Sequence, residues 1–240
     1  ILGTLSGATL SNAHITGSVT GTIEQTGGLV GVTDSSTIRY SSSAADVTGI
    51  TQTGGLVGRA RYSRVENSYA TGSVTGNTFT GGLVGGTDMG GTYTNTYASG
   101  KVTGGTDTGG LIGGPVAGGL ATVTNSYWDS GTTGQNSSYG TEVTSVNARN
   151  QATYAGFDFT NTWVMIPGET RPMLRNEYST TIFTPHALQL MALDLNASYR
   201  LGADLSLASA MAASGGYSGE VWGASGFVPI GRSGSQFSGS

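Results

Sequence analysis

The chain contains no cysteine, so disulfides and thiolate metal centres are excluded at the outset. Charge is scarce too: Asp, Glu, Lys and Arg make up 10% of the residues, against roughly 25% in an ordinary globular domain. The formal net charge of −4 gives no attraction to nucleic acid or anionic lipid. No apolar run approaches the roughly 18 residues of a membrane span, and no signal peptide is visible. Proline occurs 5 times and histidine twice. Scarce proline, with no glycine at every third position, excludes collagen. Low charge beside regular Leu, Val and Ile argues against disorder.

What is present is glycine, 42 residues in 240, and much of it is periodic. One pentapeptide recurs four times: Gly27-Gly28-Leu29-Val30-Gly31, Gly54-Gly55-Leu56-Val57-Gly58, Gly81-Gly82-Leu83-Val84-Gly85 and Gly109-Gly110-Leu111-Ile112-Gly113. The starts are 27, 27 and 28 residues apart. Thr26, Thr53, Thr80 and Thr108 precede the double glycines. Between them recur Gly17-Ser18-Val19-Thr20-Gly21, Ala45-Asp46-Val47-Thr48-Gly49, Gly72-Ser73-Val74-Thr75-Gly76 and Gly100-Lys101-Val102-Thr103-Gly104. Upstream stand Asn67-Ser68-Tyr69, Asn95-Thr96-Tyr97 and Asn125-Ser126-Tyr127. Ile1-Leu2-Gly3 fits the tail of an earlier pentapeptide and, without an initiator Met, suggests a window from a longer chain.

Short β-branched and aromatic runs between Gly, Ser, Thr and Asn read as strand, turn, strand, turn. This density of glycine leaves no room for a helical apolar stripe. Self-similarity at this period means a solenoid or a propeller. Propeller blades take about 40 residues and four strands, so the period favours one solenoid coil. The expected fold is therefore all-β: a parallel β-solenoid (β-helix) with 27–28-residue rungs over residues 1–131. A junction over 132–178 and the opening of a further module over 179–240 follow.

Stacking places equivalent residues in ladders about 4.8 Å apart. Leu29, Leu56, Leu83 and Leu111 should form one inward column, and Val19, Val47, Val74 and Val102 another. Asn12, Asn67, Asn95 and Asn125 should share a bend, with Tyr40 replacing Asn in the second rung, their amides bonded along the axis. The glycines should take positive-φ or crowded corners. Tyr69, Tyr97 and Tyr127 form an aromatic row, either core or, if exposed, a surface for sugar rings. Beyond residue 131, a short helix is expected near Val143–Gln151 and another from the Thr184-Pro185 cap. The latter should bury Leu188, Met191, Leu193 and Leu195, with a strand over Ser198–Leu207.

The GGLVG units with Asn-Ser-Tyr-Ala-Thr-Gly-Ser-Val-Thr-Gly between them resemble GLUG-motif repeats. That resemblance implies a large secreted bacterial surface protein of the filamentous-haemagglutinin-like adhesin or autotransporter type. Phe157-Asp158-Phe159 to Trp163, with Arg171-Pro172-Met173-Leu174, resembles the link that follows such arrays. Leu188 onward, with Trp222 and Phe227-Val228-Pro229-Ile230-Gly231, resembles the opening of the next array. It implies an extracellular or cell-surface location and a host or bacterial surface glycan or protein as partner, with further copies of itself as another. It transfers no binding residues.

Residue chemistry gives no catalytic constellation. The 14 carboxylates are scattered, whereas a β-helix glycosidase needs converging acids. His14 occupies the ladder position of Ser42, Tyr69 and Tyr97 and reads as structural; His186, in a first helical turn, reads as solvated. Two histidines do not make a zinc site. Gly86–Gly91 and Gly105–Gly110 lack the order of a calcium nonapeptide. Asp34, Arg61 and Asp88 align as a surface ion-pair ladder. The expectation is a non-catalytic rod segment without cofactor, mediating adhesion, with a structural spacer or self-assembling fibre subunit as the alternative and a polysaccharide-degrading β-helix enzyme as the less favoured one.

Overall fold

The computed structural model describes residues 2–22, 24–211, 219–223, 225–232 and 234–240. Short strands stack in parallel into a β-solenoid, each pairing with its counterpart one coil away. A first sheet runs through Leu2–Ser6, Val30–Asp34, Val57–Arg61, Val84–Asp88 and Ile112–Pro115. Its register reproduces the period: Leu2 pairs with Val30, Val30 with Val57, Val57 with Val84 and Val84 with Ile112. The second sheet joins Thr9–Ser11, Thr37–Arg39, Arg64–Glu66, Thr92–Thr94 and Thr122–Thr124. The third starts with the long strands His14–Thr20 and Ser42–Thr48. The fourth holds Thr26–Gly27, Thr51–Gly54, Thr78–Gly81 and Thr106–Gly109.

The leucine column lies inside as the spacing predicts, with Leu56, Leu83 and Leu111 fully buried and Leu29 nearly so. Each pentapeptide turns from the fourth sheet into the first, and Leu29, Leu56 and Leu83 donate to the leucine carbonyl of the next coil at 3.0, 2.9 and 2.8 Å. Val47, Val74 and Val102 are buried in the second predicted column. The threonine ladder is in register too. Its hydroxyls press on the Cα atoms of Gly21, Gly49, Gly76 and Gly104, where a Cβ would come within 2.6 Å of Oγ1. The Thr before the double glycine and the Gly after Val-Thr are thus two sides of one contact.

The glycines divide as expected between positive-φ corners, such as Gly7, Gly17, Gly90 and Gly118, and crowded sites; those of the pentapeptide are selected for space and not for φ. The pentapeptide glycines all keep negative φ, while a Cβ on Gly28, Gly55 or Gly82 would lie 2.2 Å from the carbonyl oxygen of the next rung's glycine. Non-glycine residues also occupy positive-φ corners of the coil. Asn12, Tyr40, Asn67, Asn95 and Asn125 (φ 43–57°) turn the chain between the second and third sheets. Ser35, Tyr62, Met89 and Ala117 (φ 44–54°) turn it between the first and second. Asparagine tolerates this region through its short polar side chain; Tyr62 is held there by inter-rung bonding, its N–H reaching Asp88 O at 3.3 Å.

Within the Asn ladder, one side-chain bond is formed along the axis, Asn95 Nδ2 to Asn67 Oδ1 at 3.3 Å. The backbone at that bend is satisfied instead by a neighbouring hydroxyl ladder. Ser68 Oγ accepts from Ser41 N–H and Ser126 Oγ from Thr96 N–H, both at 3.2 Å.

Stacking runs beyond the last pentapeptide. Thr141–Val143 pairs in parallel with Tyr127–Asp129, and Ser137 and Ser138 sit beneath Gly110 and Leu111, Ser138 Oγ accepting from Leu111 N–H at 2.9 Å. A one-turn helix, Ser130–Thr133, capped by Asp129, lies between. Where one helix was expected near Val143–Gln151 there are two 3-10 turns, Asn147–Arg149 and Gln151–Thr153, split by Asn150 in an extended conformation. The chain then crosses the outer face of the third sheet, with Trp163–Val164 pairing antiparallel to Met173–Leu174.

Thr184 caps the helix Pro185–Leu190 as expected, accepting from Ala187 N–H at 3.1 Å. Its buried side is His186, Ala187, Gln189 and Leu190, not the leucine face read from sequence; Leu193 is exposed. The helix tightens into a 3-10 turn at Met191–Leu193, which leaves Leu193 facing outward, while Leu188, Met191 and Leu195 are half-buried. Within Ser198–Leu207 the strand is confined to Arg200–Leu201, pairing with Thr181–Ile182.

Candidate functional site: the covered tyrosine face and its flanking groove

Tyr69, Tyr97 and Tyr127 stack in register on the outer face of the third sheet. Tyr69 and Tyr97 lie ring on ring, with centroids 4.9 Å apart and planes 5° from parallel. The row is not open to a ligand: the three are 0%, 2% and 5% exposed. Tyr154, Phe157, Trp163, Met173 and Leu174 cover it and form a second apolar cluster outside the solenoid core. Each phenol finds an acceptor, Tyr69 on Glu177 at 2.6 Å, Tyr97 on the Pro172 carbonyl at 2.6 Å and Tyr127 on the Ala155 carbonyl at 3.3 Å. Burial pushes the Tyr69 and Tyr97 hydroxyls well above their usual range, so they remain neutral donors.

His186 is the largest departure from the sequence reading. It is buried, not solvated, between two carboxylates: Nδ1 lies 2.8 Å from Glu177 and Nε2 3.0 Å from Glu220. Tyr69 Oη is 3.0 Å from the same Nδ1. Burial alone would lower the imidazole, but the Glu177 charge and both carboxylate hydrogen bonds carry it up to about 10. Burial would likewise raise Glu177, and His186 holds it below its usual range. His186 is therefore a cation locked between anions. His14 sits at the predicted ladder position, its Nδ1 2.9 Å from Ser42 Oγ, and burial lowers it.

A second buried pair fixes the covering segment to the last rung. Arg171 and Asp129 meet at 2.5 Å with side chains 0% and 2% exposed. Asp129 also accepts from Ser145 Oγ at 2.7 Å and Gly131 N–H at 3.0 Å. Arg171 donates onward to the Glu220 and Trp222 carbonyls. Gln189 receives the Trp222 indole N–H at 2.7 Å and Val228 N–H at 2.9 Å. Sequence reasoning missed this network because each member is an isolated polar residue, brought together only by the crossing of the tyrosine face. Arg171 within Arg-Pro-Met-Leu was the one available signal.

The Asp34–Arg61–Asp88 column is in register, with ion pairs of 3.7 Å on each side of Arg61. It is not wholly a surface ladder: the Asp88 side chain is 3% exposed and takes its short contact, 2.5 Å, from Arg59. Among the described residues, no three His, Asp or Glu side chains group as a metal would require. No described helix is long and apolar enough to cross a membrane.

Beside the tyrosine face a groove of about 530 Å³ opens between the third sheet and described residues of 183–210 and 219–220. Its floor includes Asp46, Ser73 and Lys101, and its far wall Phe183, His186 and Glu220.

Residues 49–75 match the model of the GLUG motif. This segment is one complete rung, from the end of the Ala45–Gly49 block to Thr75. Among solved structures the fold is similar to that of a putative immunoglobulin A1 protease from Bacteroides ovatus, with TM-score 0.54 and 23% identity. The alignment covers 70% of this chain and 57% of that one, so the chain spans a little over half of its neighbour's length. At that identity the likeness shows the fold. No curated protein matches the chain.

Proposed function

We propose that this chain is a non-catalytic rod segment of a secreted bacterial surface adhesin, which holds a lateral binding surface at a distance from the cell. The observation that carries this reading is the disposition of its buried charges. His186 and Arg171 are each neutralised by carboxylates inside the covering segment, whereas the groove beside them stays open. Rung-by-rung stacking through nearest neighbours suits a long, stiff extension. The partner is a glycan or protein of a host or neighbouring bacterial surface; nucleic acid and membrane insertion are not part of the reading.

The experiment is binding of the purified chain to glycan and matrix-protein arrays, together with adhesion of chain-coated beads to cells. Saturable binding supports the adhesin. Silence from a folded chain moves the reading to a spacer, and concentration-dependent elongation in light scattering moves it to a fibre subunit. Cleavage of immunoglobulin A1, the activity in the neighbour's description, would overturn the non-catalytic reading.

A further inference from the structure

We propose that the groove binds a neutral oligosaccharide of two or three pyranose rings, with Phe183 as its stacking platform and Asp46 and Lys101 at its two ends. This rests on the adhesin reading for its biological purpose, and the geometry supplies the ligand class.

The floor is built by a local fault in the solenoid. The third sheet runs unbroken through His14–Thr20 and Ser42–Thr48, but the next two coils split it into Tyr69–Ala70 with Val74–Thr75, and Tyr97–Ala98 with Val102–Thr103. Gly72 and Gly100 lie at the breaks. A Cβ there would fall 2.0 and 1.8 Å from the backbone oxygens of Ala45 and Gly72. The same absence of side chain seats the roof, for Gly219 rests on Gly100 and its carbonyl accepts from Ser99 Oγ.

Along this floor Asp46, Ser73 and Lys101 form one column, aligned by the neighbouring Val47, Val74 and Val102. Asp46 and Lys101 are two coils apart, roughly 10 Å, about the length of a disaccharide. Asp46 accepts from Ser73 N–H at 2.9 Å and keeps its other oxygen for a ligand. Lys101 is the only lysine in the chain, and its ammonium has no partner among the described residues. Thr71 and Thr132 also line the groove, their hydroxyls buried and without hydrogen-bond partners. Donors and acceptors thus alternate along a polar floor, as a polyol requires.

The apolar side is equally specific. Phe183 is 60% exposed, yet its ring is not loose. The missing Cβ of Gly202 would lie 2.5–2.8 Å from three of its ring carbons, so the ring rests flat on that backbone. Gly202 is itself pinned by its N–H to Ile182 O at 2.8 Å. An aromatic ring braced from behind and open in front suits the C–H face of a sugar. The volume lies within the about 300–1,000 Å³ of small-molecule sites. Charge selects against acidic sugars: Glu220 is held by His186, leaving Asp46 and Asp204 against Lys101.

The test is calorimetric titration of the chain with lactose, N,N′-diacetylchitobiose and maltotriose. At least one should bind saturably, and Phe183→Ala should weaken it about fivefold to tenfold. Lys101→Ala should weaken it comparably, and Tyr62→Ala, on a distant corner, should leave it unchanged. Because both key side chains are exposed, circular dichroism should show the fold intact. Acylation of Lys101 by an N-hydroxysuccinimide ester, read by mass spectrometry, should be slowed by the bound sugar. Binding of none of the three, or binding indifferent to both substitutions, overturns the proposal. Array binding to a protein alone would sink the sugar groove while leaving the adhesin standing. Sugar binding without any bead adhesion would do the reverse.

Discussion

Gly82→Ala separates the two reasons a glycine can be required. Gly82 has ordinary negative φ, so alanine costs nothing in backbone conformation. Its Cβ would lie 2.2 Å from the Gly110 carbonyl oxygen and 2.8 Å from the Ala98 Cβ. Reaching normal contact at about 3.5 Å means parting the two coils by roughly 1 Å. That opens the bonds from Gly82 N–H to Gly109 O, 3.4 Å, and from Leu83 N–H to Leu111 O, 2.8 Å. Two hydrogen bonds at about 1 kcal/mol each and overpacking of about 1–3 kcal/mol sum to about 3–5 kcal/mol. At about 2–4 °C per kcal/mol, the melting temperature should fall by roughly 10 °C.

The control is Gly90→Ala, where φ is +88° and no atom lies within 4 Å of the added methyl; the expected cost is about 1 kcal/mol. Both variants would be compared by thermal and urea denaturation followed by circular dichroism. If Gly90→Ala proved as damaging as Gly82→Ala, the space-filling account of the pentapeptide would be refuted.

Leu83→Asp should abolish cooperative melting by placing a charge in the fully buried leucine column, while Leu83→Ala should cost about 2–5 kcal/mol; an unchanged melting temperature for the aspartate would contradict the register. Asp129→Asn should cost about 3–5 kcal/mol by leaving Arg171 buried and uncompensated, and limited proteolysis should cut the covering segment before the solenoid. The His186 clamp should have an optimum in pH. His186 is raised from 6.5 to about 10, so its contribution is complete below 6.5 and lost as pH climbs towards 10; Glu177 is lowered from 4.5, so its contribution is complete above 4.5 and lost in acid. Denaturation midpoints compared between wild type and His186→Ala should therefore differ most between about pH 4.5 and 6.5, and a constant difference up to pH 10 would sink the assignment.

Several residues show why the repeat was legible and the remainder was not. Leu56, Leu83 and Leu111 fell where spacing put them, because a parallel ladder converts a sequence period directly into a spatial column. The Asn corners were found by the same rule, Tyr40 included. Tyr62 and Met89 were not, since nothing local marks a bulky residue as left-handed; at Tyr62 inter-rung bonding imposes it. Tyr69, Tyr97 and Tyr127 were aligned correctly, but their environment depended on a segment about 30–110 residues further along the chain.

Sequence alone determined the parallel solenoid, its 27–28-residue coil and its inward columns. These follow from nearest-neighbour stacking, in which each residue's surroundings are its own repeat. Only the tertiary structure decided which face is covered, that His186 and Arg171 are sealed between carboxylates, and that a groove opens beside them. Those features join residues that share no period, and their positions are set by one non-repeating segment finding the apolar tyrosine face that the repeats leave outside their core.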